Sequence, residues 1–234
     1  MRVVAGDYVA FCEGDDYWTD RRKLIKQIEC LELYSNASGV YTSYHVVDDR
    51  GVVQIHASEG YKRDLSIRDF MLGCVAHTLT LFARKQAVPL LLPMQIHNTL
   101  YADKFLNTLI ARSGVIKHLP EDTSAYRVHS AGAYSLKTVV YREKESLKMY
   151  LGMYDYYNNA EYRRYILQSV SKGIGKLLRG VLFGGERVSA LKSIIELVIF
   201  SKECGYGYKA ILLSFTNKYI VKGIVRGFNG KKQK

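Results

Sequence analysis

The 234-residue sequence predicts an α/β protein: a mixed sheet with helices over residues 1–136, followed by a helical region over residues 137–234. Three observations lead there. In the first part, short apolar runs rich in β-branched and aromatic residues alternate with segments of helical period. Strand-like runs stop after Gly132. The net charge of +12 belongs wholly to the second part: residues 1–136 hold 15 Lys+Arg against 15 Asp+Glu, residues 137–234 hold 19 against 7. Hydrophobic residues at 48% and charged ones at 24% exclude a disordered chain. The four cysteines have no metal-ligand spacing and predict reduced thiols in a cytosolic protein. The first residues do not read as a signal peptide, and no apolar run reaches the ~18 residues of a membrane-spanning helix.

Residues 8–12 predict a short buried strand that runs into an acidic turn. Residues 20–34 predict a helix capped by Thr19 or Asp20, with Leu24, Ile25, Ile28 and Leu31 inward and Arg21, Lys23, Lys26 and Glu29 outward. Residues 39–47 are strand-like, 48–51 form a turn and 52–56 return, which makes a hairpin. A short helix is expected over 65–72 and a buried strand over 78–83. The loop 88–99 holds Pro89 and Pro93. An amphipathic helix over 102–113 is closed by Gly114, and short strands are expected at 115–119 and 123–128.

The acidic turn carries the chemistry. In CEGDDYWTD, residues 12–20, the carboxylates Glu13, Asp15 and Asp16 crowd together after the apolar run YVAF. Open α/β sheets bind ligands at the carboxyl ends of their strands. Like charges so close call for a cation. Hard oxygen ligands favour Mg²⁺ or Mn²⁺, which commonly bridges protein carboxylates to phosphates. A solvated turn at the start of a helix fits the spacing equally well. A polyprenyl-synthase-like acidic motif would sit on a helix, against the strand-like run before these acids.

GDYVAFCEGDDYWTDRRKLIKQIECLE resembles the middle of family 2 glycosyltransferases of the GT-A fold, in the bacterial subgroup that carries EGDDYW. The matching features are the turn Ala5-Gly6-Asp7-Tyr8, the acids, and the helical pattern Lys23-Leu24-Ile25-Lys26-Gln27. Further on, Asp103-Lys104-Phe105-Leu106, Gly114-Val115-Ile116-Lys117-His118-Leu119 and Tyr126-Arg127-Val128-His129-Ser130-Ala131-Gly132 follow the subgroup's order. The resemblance spans residues 5–136. It implies that Glu13 and Asp15 occupy the two DxD positions, with Asp16 beside them, on a metal and the donor diphosphate. It also implies that Asp103 is the catalytic base, that His129 returns to the metal or diphosphate, and that Arg127 offsets phosphate charge. His77 falls where such enzymes line the acceptor side. Trp18 is expected to pack under the following helix, and His45, His56, His97 and His118 to be structural.

The implied activity is an inverting, metal-dependent transfer of a sugar from a nucleotide-sugar donor (a UDP-sugar or similar) to a cell-surface polysaccharide or lipid-linked acceptor. In the family, a nucleotide-binding half with a YN turn and a DDxSxD strand precedes the acidic strand. Only seven residues precede Tyr8 here, so the resemblance implies a truncated GT-A domain in residues 1–136. The alternative is a non-catalytic remnant acting as a membrane-surface or protein-binding module. The basic segments 189–202 and 209–228 are amphipathic and suit an anionic membrane surface. The expected location is therefore cytoplasmic, peripheral on the inner face of the plasma membrane. No RNA- or DNA-binding motif accompanies the charge, so no nucleic-acid partner is expected.

Overall fold

A computed structural model describes residues 5–48, 50, 51, 53–56, 62–130, 137–183, 185, 187–205 and 207–215. Residues 49 and 52 of the expected hairpin, Ala131 and Gly132 of the 126–132 motif, and everything from residue 216 onward, including most of the 209–228 segment and the basic terminal tail, lie outside the described residues. The chain forms two compact units. One comprises Met1–Leu92 with Asp103–Leu136, the other Pro93–Ala102 with Lys137–Lys234. The segment 93–102 thus clusters with the helices rather than with the sheet that flanks it in sequence.

The first unit is mixed α/β. Its strands are β1 (Tyr8–Ala10), β2 (Tyr17–Trp18), β3 (Ala37–Val47), β4 (Val53–His56), β5 (Phe82–Arg84) and β6 (Val115–Arg127). The sheet order is β1-β5-β3-β6-β2, with β4 added to β3. β3 and β6 run parallel; the other pairs are antiparallel. The helices are α1 (Lys23–Leu33), α2 (Ile67–Met71) and α3 (Ala102–Ile110). Cys30, Leu31, Ala37, Val40 and Phe82 form a buried cluster between α1 and the sheet. Each fully buried Leu or Phe of this kind contributes about 1.5–3 kcal/mol.

Several expectations are corrected. β1 is an edge strand with Ala10 exposed, not a buried one. The buried side of α1 is rotated: Lys23, Gln27, Cys30 and Leu31 face inward, while Ile25 and Ile28 are exposed. The reason is polar. Gln27 Nε2 donates to Thr80 O at 2.9 Å, and Lys23 Nζ donates to Gln27 Oε1 at 2.7 Å beneath the Trp18 ring. Neither Thr19 nor Asp20 is the N-cap. Arg22 holds that position, and Asp20 Oδ1 accepts from the Arg22 amide at 2.7 Å just before the helix.

Residues 78–83 are not one strand. Thr78–Thr80 is a 3₁₀ turn and β5 begins only at Phe82. Residues 115–127 are one strand, not two. Thr42 pairs with Leu119 and Ser43 with Asp122, so Pro120 and Glu121 bulge out, where proline's missing N–H costs no ladder bond. Gly114 does not end α3, which stops at Ile110. It is required for a different reason: a Cβ there would lie 2.2 Å from Asn36 O and 3.1 Å from Ser38 N.

The second unit is built from α4 (Val139–Tyr156), α5 (Ala160–Phe183), α6 (Arg187–Glu203) and α7 (Tyr208–Phe215). Thr138 caps α4, its Oγ1 accepting from the Tyr141 amide at 3.2 Å. α4 and α5 approach closely at Gly173, where a Cβ would meet Leu147 Cδ2 at 2.7 Å. Leu147, Leu151, Ile166, Val170, Ile174 and Leu177 fill the interior. No helix among the described residues is long and apolar enough to cross a membrane.

Candidate functional site

The acidic turn is suspended between two strands. β1 delivers the chain to Phe11, whose amide donates to Leu81 O at 3.4 Å. The turn closes with the Asp16 amide donating to Glu13 O at 3.3 Å. The chain then enters β2, which pairs antiparallel with β6 in the register Tyr17↔Ala125 and Trp18↔Ser124. Continuing that register past β2 sets the acids beside the end of β6. The Arg127 amide donates to Asp16 Oδ1 at 2.9 Å, and His129 Nε2 lies 3.1 Å from Asp15 Oδ2. Glu13 turns the other way and accepts from the Thr78 hydroxyl. Segments more than a hundred residues apart in sequence therefore form one cluster.

Their electrostatics differ by position. Asp15 is exposed, and its hydrogen bond to His129 holds its carboxyl below the usual range despite some burial. Asp16 is half-buried. Desolvation pushes its pKa up to about 6, against the Arg127 amide and with help from the charges of Asp15 and Glu13. The Arg127 guanidinium lies 5.5 Å from the Tyr17 ring centroid.

Asp103 sits in the first turn of α3. Burial raises its pKa, the Lys104 amide opposes that, and the nearby Glu13 charge adds to it. Asn107, one turn on and fully buried, locks this helix end. Its Nδ2 donates to Asp103 O at 2.7 Å and its Oδ1 accepts from the Ala76 amide at 2.8 Å. That second bond also fixes the approach to His77.

His77 packs against Tyr44 at 4.7 Å and Tyr126 at 6.0 Å between ring centroids. Burial, together with the Lys104 charge, lowers its pKa to about 4, so the ring is neutral at physiological pH. Burial and the neighbouring Tyr126 and Asp16 raise Tyr44 to about 12. Among the described residues neither the Tyr44 hydroxyl nor the His77 ring nitrogens have a hydrogen-bond partner. Tyr44 and Thr78 escaped sequence reasoning, since a tyrosine in a strand and a threonine before one are ordinary packing residues. Only the β3–β6 pairing and the Glu13 contact single them out.

The other residues considered are elsewhere. Trp18 Nε1 donates to Leu79 O at 3.0 Å and its ring covers Lys23. His45 pairs with Asp122 at 2.9 Å and His118 packs at a tilt against Tyr41, 4.8 Å between ring centroids.

Among the described residues no three His, Cys, Asp or Glu side chains converge as a metal cage. Glu13 and Asp16 each use one carboxylate oxygen, and the second has no protein partner among the described residues. Such a donor set fits a divalent cation held by one or two carboxylates, with phosphates and water supplying the rest, and does not fit an all-protein site.

No protein-family model matches the chain. Similarity is found to uncharacterized proteins of Mycobacterium bovis (Mb1547) and Mycobacterium tuberculosis (MT1570 and Rv1520), each 31% identical over 135 residues. The match covers 57% of this chain and 38% of each relative, so it spans well under half the length of those proteins.

Proposed function

We propose that this chain carries the diphosphate-binding acids and the catalytic carboxylate of an inverting, metal-dependent glycosyltransferase of the GT-A type, acting on a nucleotide-sugar donor. One observation supports this reading most: Asp15 meets His129 and Asp16 meets the Arg127 amide, while the charge of Glu13 acts on the buried Asp103. Acids for a diphosphate and a carboxylate of raised pKa thus sit in one neighbourhood.

One or two of the carboxylates of Asp15, Asp16 and Glu13 would hold Mg²⁺ or Mn²⁺, with donor phosphates and water completing the shell, and His129, 3.1 Å from Asp15, would stand beside the diphosphate. A bound cation there offsets the negative charge that grows on the leaving diphosphate. Arg127, whose guanidinium lies 5.5 Å from the Tyr17 ring centroid, would add a second positive group for the same oxygens. Asp103 takes the proton of an acceptor hydroxyl as that oxygen bonds to the anomeric carbon. The bond from this carbon to the diphosphate oxygen breaks with its electron pair, which inverts the centre. A carboxylate whose pKa is raised by burial is the better base for this step. The acceptor is proposed to be a glycan or a lipid-linked saccharide.

Calorimetric titration of the purified chain with nucleoside diphosphates in the presence of Mn²⁺ tests this. Saturable binding that disappears on omitting Mn²⁺ and in Asp15→Ala supports the reading. Absence of heat with every nucleoside diphosphate in folded protein, or unchanged binding by Asp15→Ala, overturns it.

A further inference from the structure

α6 leaves a row of large apolar side chains in solvent as well as burying some inward. Its inward side is Ala190, Ser193, Leu197 and Ser201. Its outward side is Val188, Leu191, Ile195 and Ile199, with Val188 82% exposed, Ile195 52% and Ile199 49%. On α7, Leu212 and Leu213 are also about half exposed. A row of branched apolar side chains along about three turns of helix is costly to hydrate, and the interior contact of α6 is already made by its opposite side, Ala190, Ser193, Leu197 and Ser201.

Charge identifies the occupant. On a helical projection Lys192 and Lys202 fall about 40° either side of the Val188–Ile195–Ile199 line. Both are exposed, and Lys209 at the start of α7 is exposed too. Their stems can lie along apolar surface while the ammonium groups reach up to phosphate. Residues 137–234 carry the whole net charge of +12. Two copies joined through this face would set like charges against each other, whereas an anionic lipid surface neutralises them.

We propose that the outer face of α6, extended by Leu212 and Leu213, docks in the plane of an anionic lipid membrane, with Val188, Ile195 and Ile199 inserted and Lys192 and Lys202 on lipid phosphates. The proposal stands on this face alone and does not depend on the glycosyl-transfer reading.

The experiment is flotation of the purified chain with phosphatidylcholine vesicles, with and without phosphatidylglycerol. The wild type floats only with phosphatidylglycerol, and added salt weakens the binding. Ile195→Ser/Ile199→Ser lowers vesicle partitioning about tenfold or more while circular dichroism stays unchanged. Leu212→Ser/Leu213→Ser, an independent pair, moves it in the same direction. Lys192→Gln/Lys202→Gln reduces binding severalfold at low salt. Absence of flotation, or flotation of both apolar variants equal to wild type, overturns the proposal, the latter by assigning any binding to basic charge alone. So does a dimer, seen by light scattering, that Ile195→Ser/Ile199→Ser dissociates without change in vesicle binding.

Discussion

The two units differ in where they carry their most costly surface. The sheet unit draws ionisable groups inward and matches several of them to fixed partners: Lys23 to Gln27, Asp16 to the Arg127 amide, Asp69 to Ser66 and Arg63. The helical unit turns part of its apolar surface outward, along α6 and onto α7. A buried polar group costs several kcal/mol, on the order of 2–7, unless it is hydrogen-bonded, so a cluster of paired ones is a prepared polar site. An exposed apolar row has no such compensation inside its own unit. The same chain thus keeps two kinds of cost, each of which points to a different sort of ligand.

The contrast can be broken most directly at Asp103. In transfer assays Asp103→Asn lowers turnover about a thousandfold, within the range of general-base contributions. Binding of Mn²⁺ and nucleoside diphosphate stays at the wild-type level. Retained turnover removes Asp103 from the role of base. Lost diphosphate binding makes it part of the donor site instead.

Lys23 tests the cost of inward polarity. It is almost wholly buried, and desolvation lowers its pKa from 10.5 to about 8. Below pH 8 the lysine is charged in both states and the burial cost is present in full. Between pH 8 and 10.5 the unfolded chain binds a proton that the folded chain has released, so stability rises with pH across that window. Urea unfolding of wild type and Lys23→Met across this range isolates the lysine, because other titrating groups cancel in the difference. The wild type gains about 3 kcal/mol relative to the variant by the upper limit. A difference that stays flat with pH shows that Lys23 titrates normally.

Gly114 tests the sheet itself. A Cβ there meets main-chain atoms of Asn36 and Ser38, which no rotamer change relieves. Gly114→Ala therefore costs about 2–3 kcal/mol by urea unfolding, at the upper end of overpacking penalties. A loss below about 0.5 kcal/mol, the size of a surface change, places the β3–β6 crossing elsewhere.

Element types were largely readable in the sequence, because helical period and β-branched runs are local. The second half of the site was less so. TLTLFA has the composition of a strand, yet its carbonyls are claimed by distant side chains: Leu79 O by Trp18 Nε1 and Ser124 Oγ, Thr80 O by Gln27 Nε2. Those bonds take the place of a ladder and allow the 3₁₀ turn that puts Thr78 on Glu13. The buried face of α1 departs from the apolar pattern for the same reason, since the amide of Gln27 outweighs the apolar count of Ile25 and Ile28. The acids were visible at once. Their meeting with Arg127 and His129 follows from a two-residue strand, β2, whose register no propensity encodes.

The smallest expected effect is the one that sharpens the comparison most. On α4, Leu147 is buried against α5, and Leu147→Ala costs about 2–5 kcal/mol as a core truncation. Ile195 on α6 has comparable volume but half of its surface in solvent. Ile195→Ser then changes the free energy of unfolding by no more than about 0.5 kcal/mol, as for any surface position without a partner. Urea unfolding of the two variants side by side reads the difference. A loss of several kcal/mol at Ile195 means that the row is packed against protein and cannot serve a membrane. A near-zero change means that this apolar surface contributes nothing to folding in water, which leaves its stabilisation to come from the medium it meets.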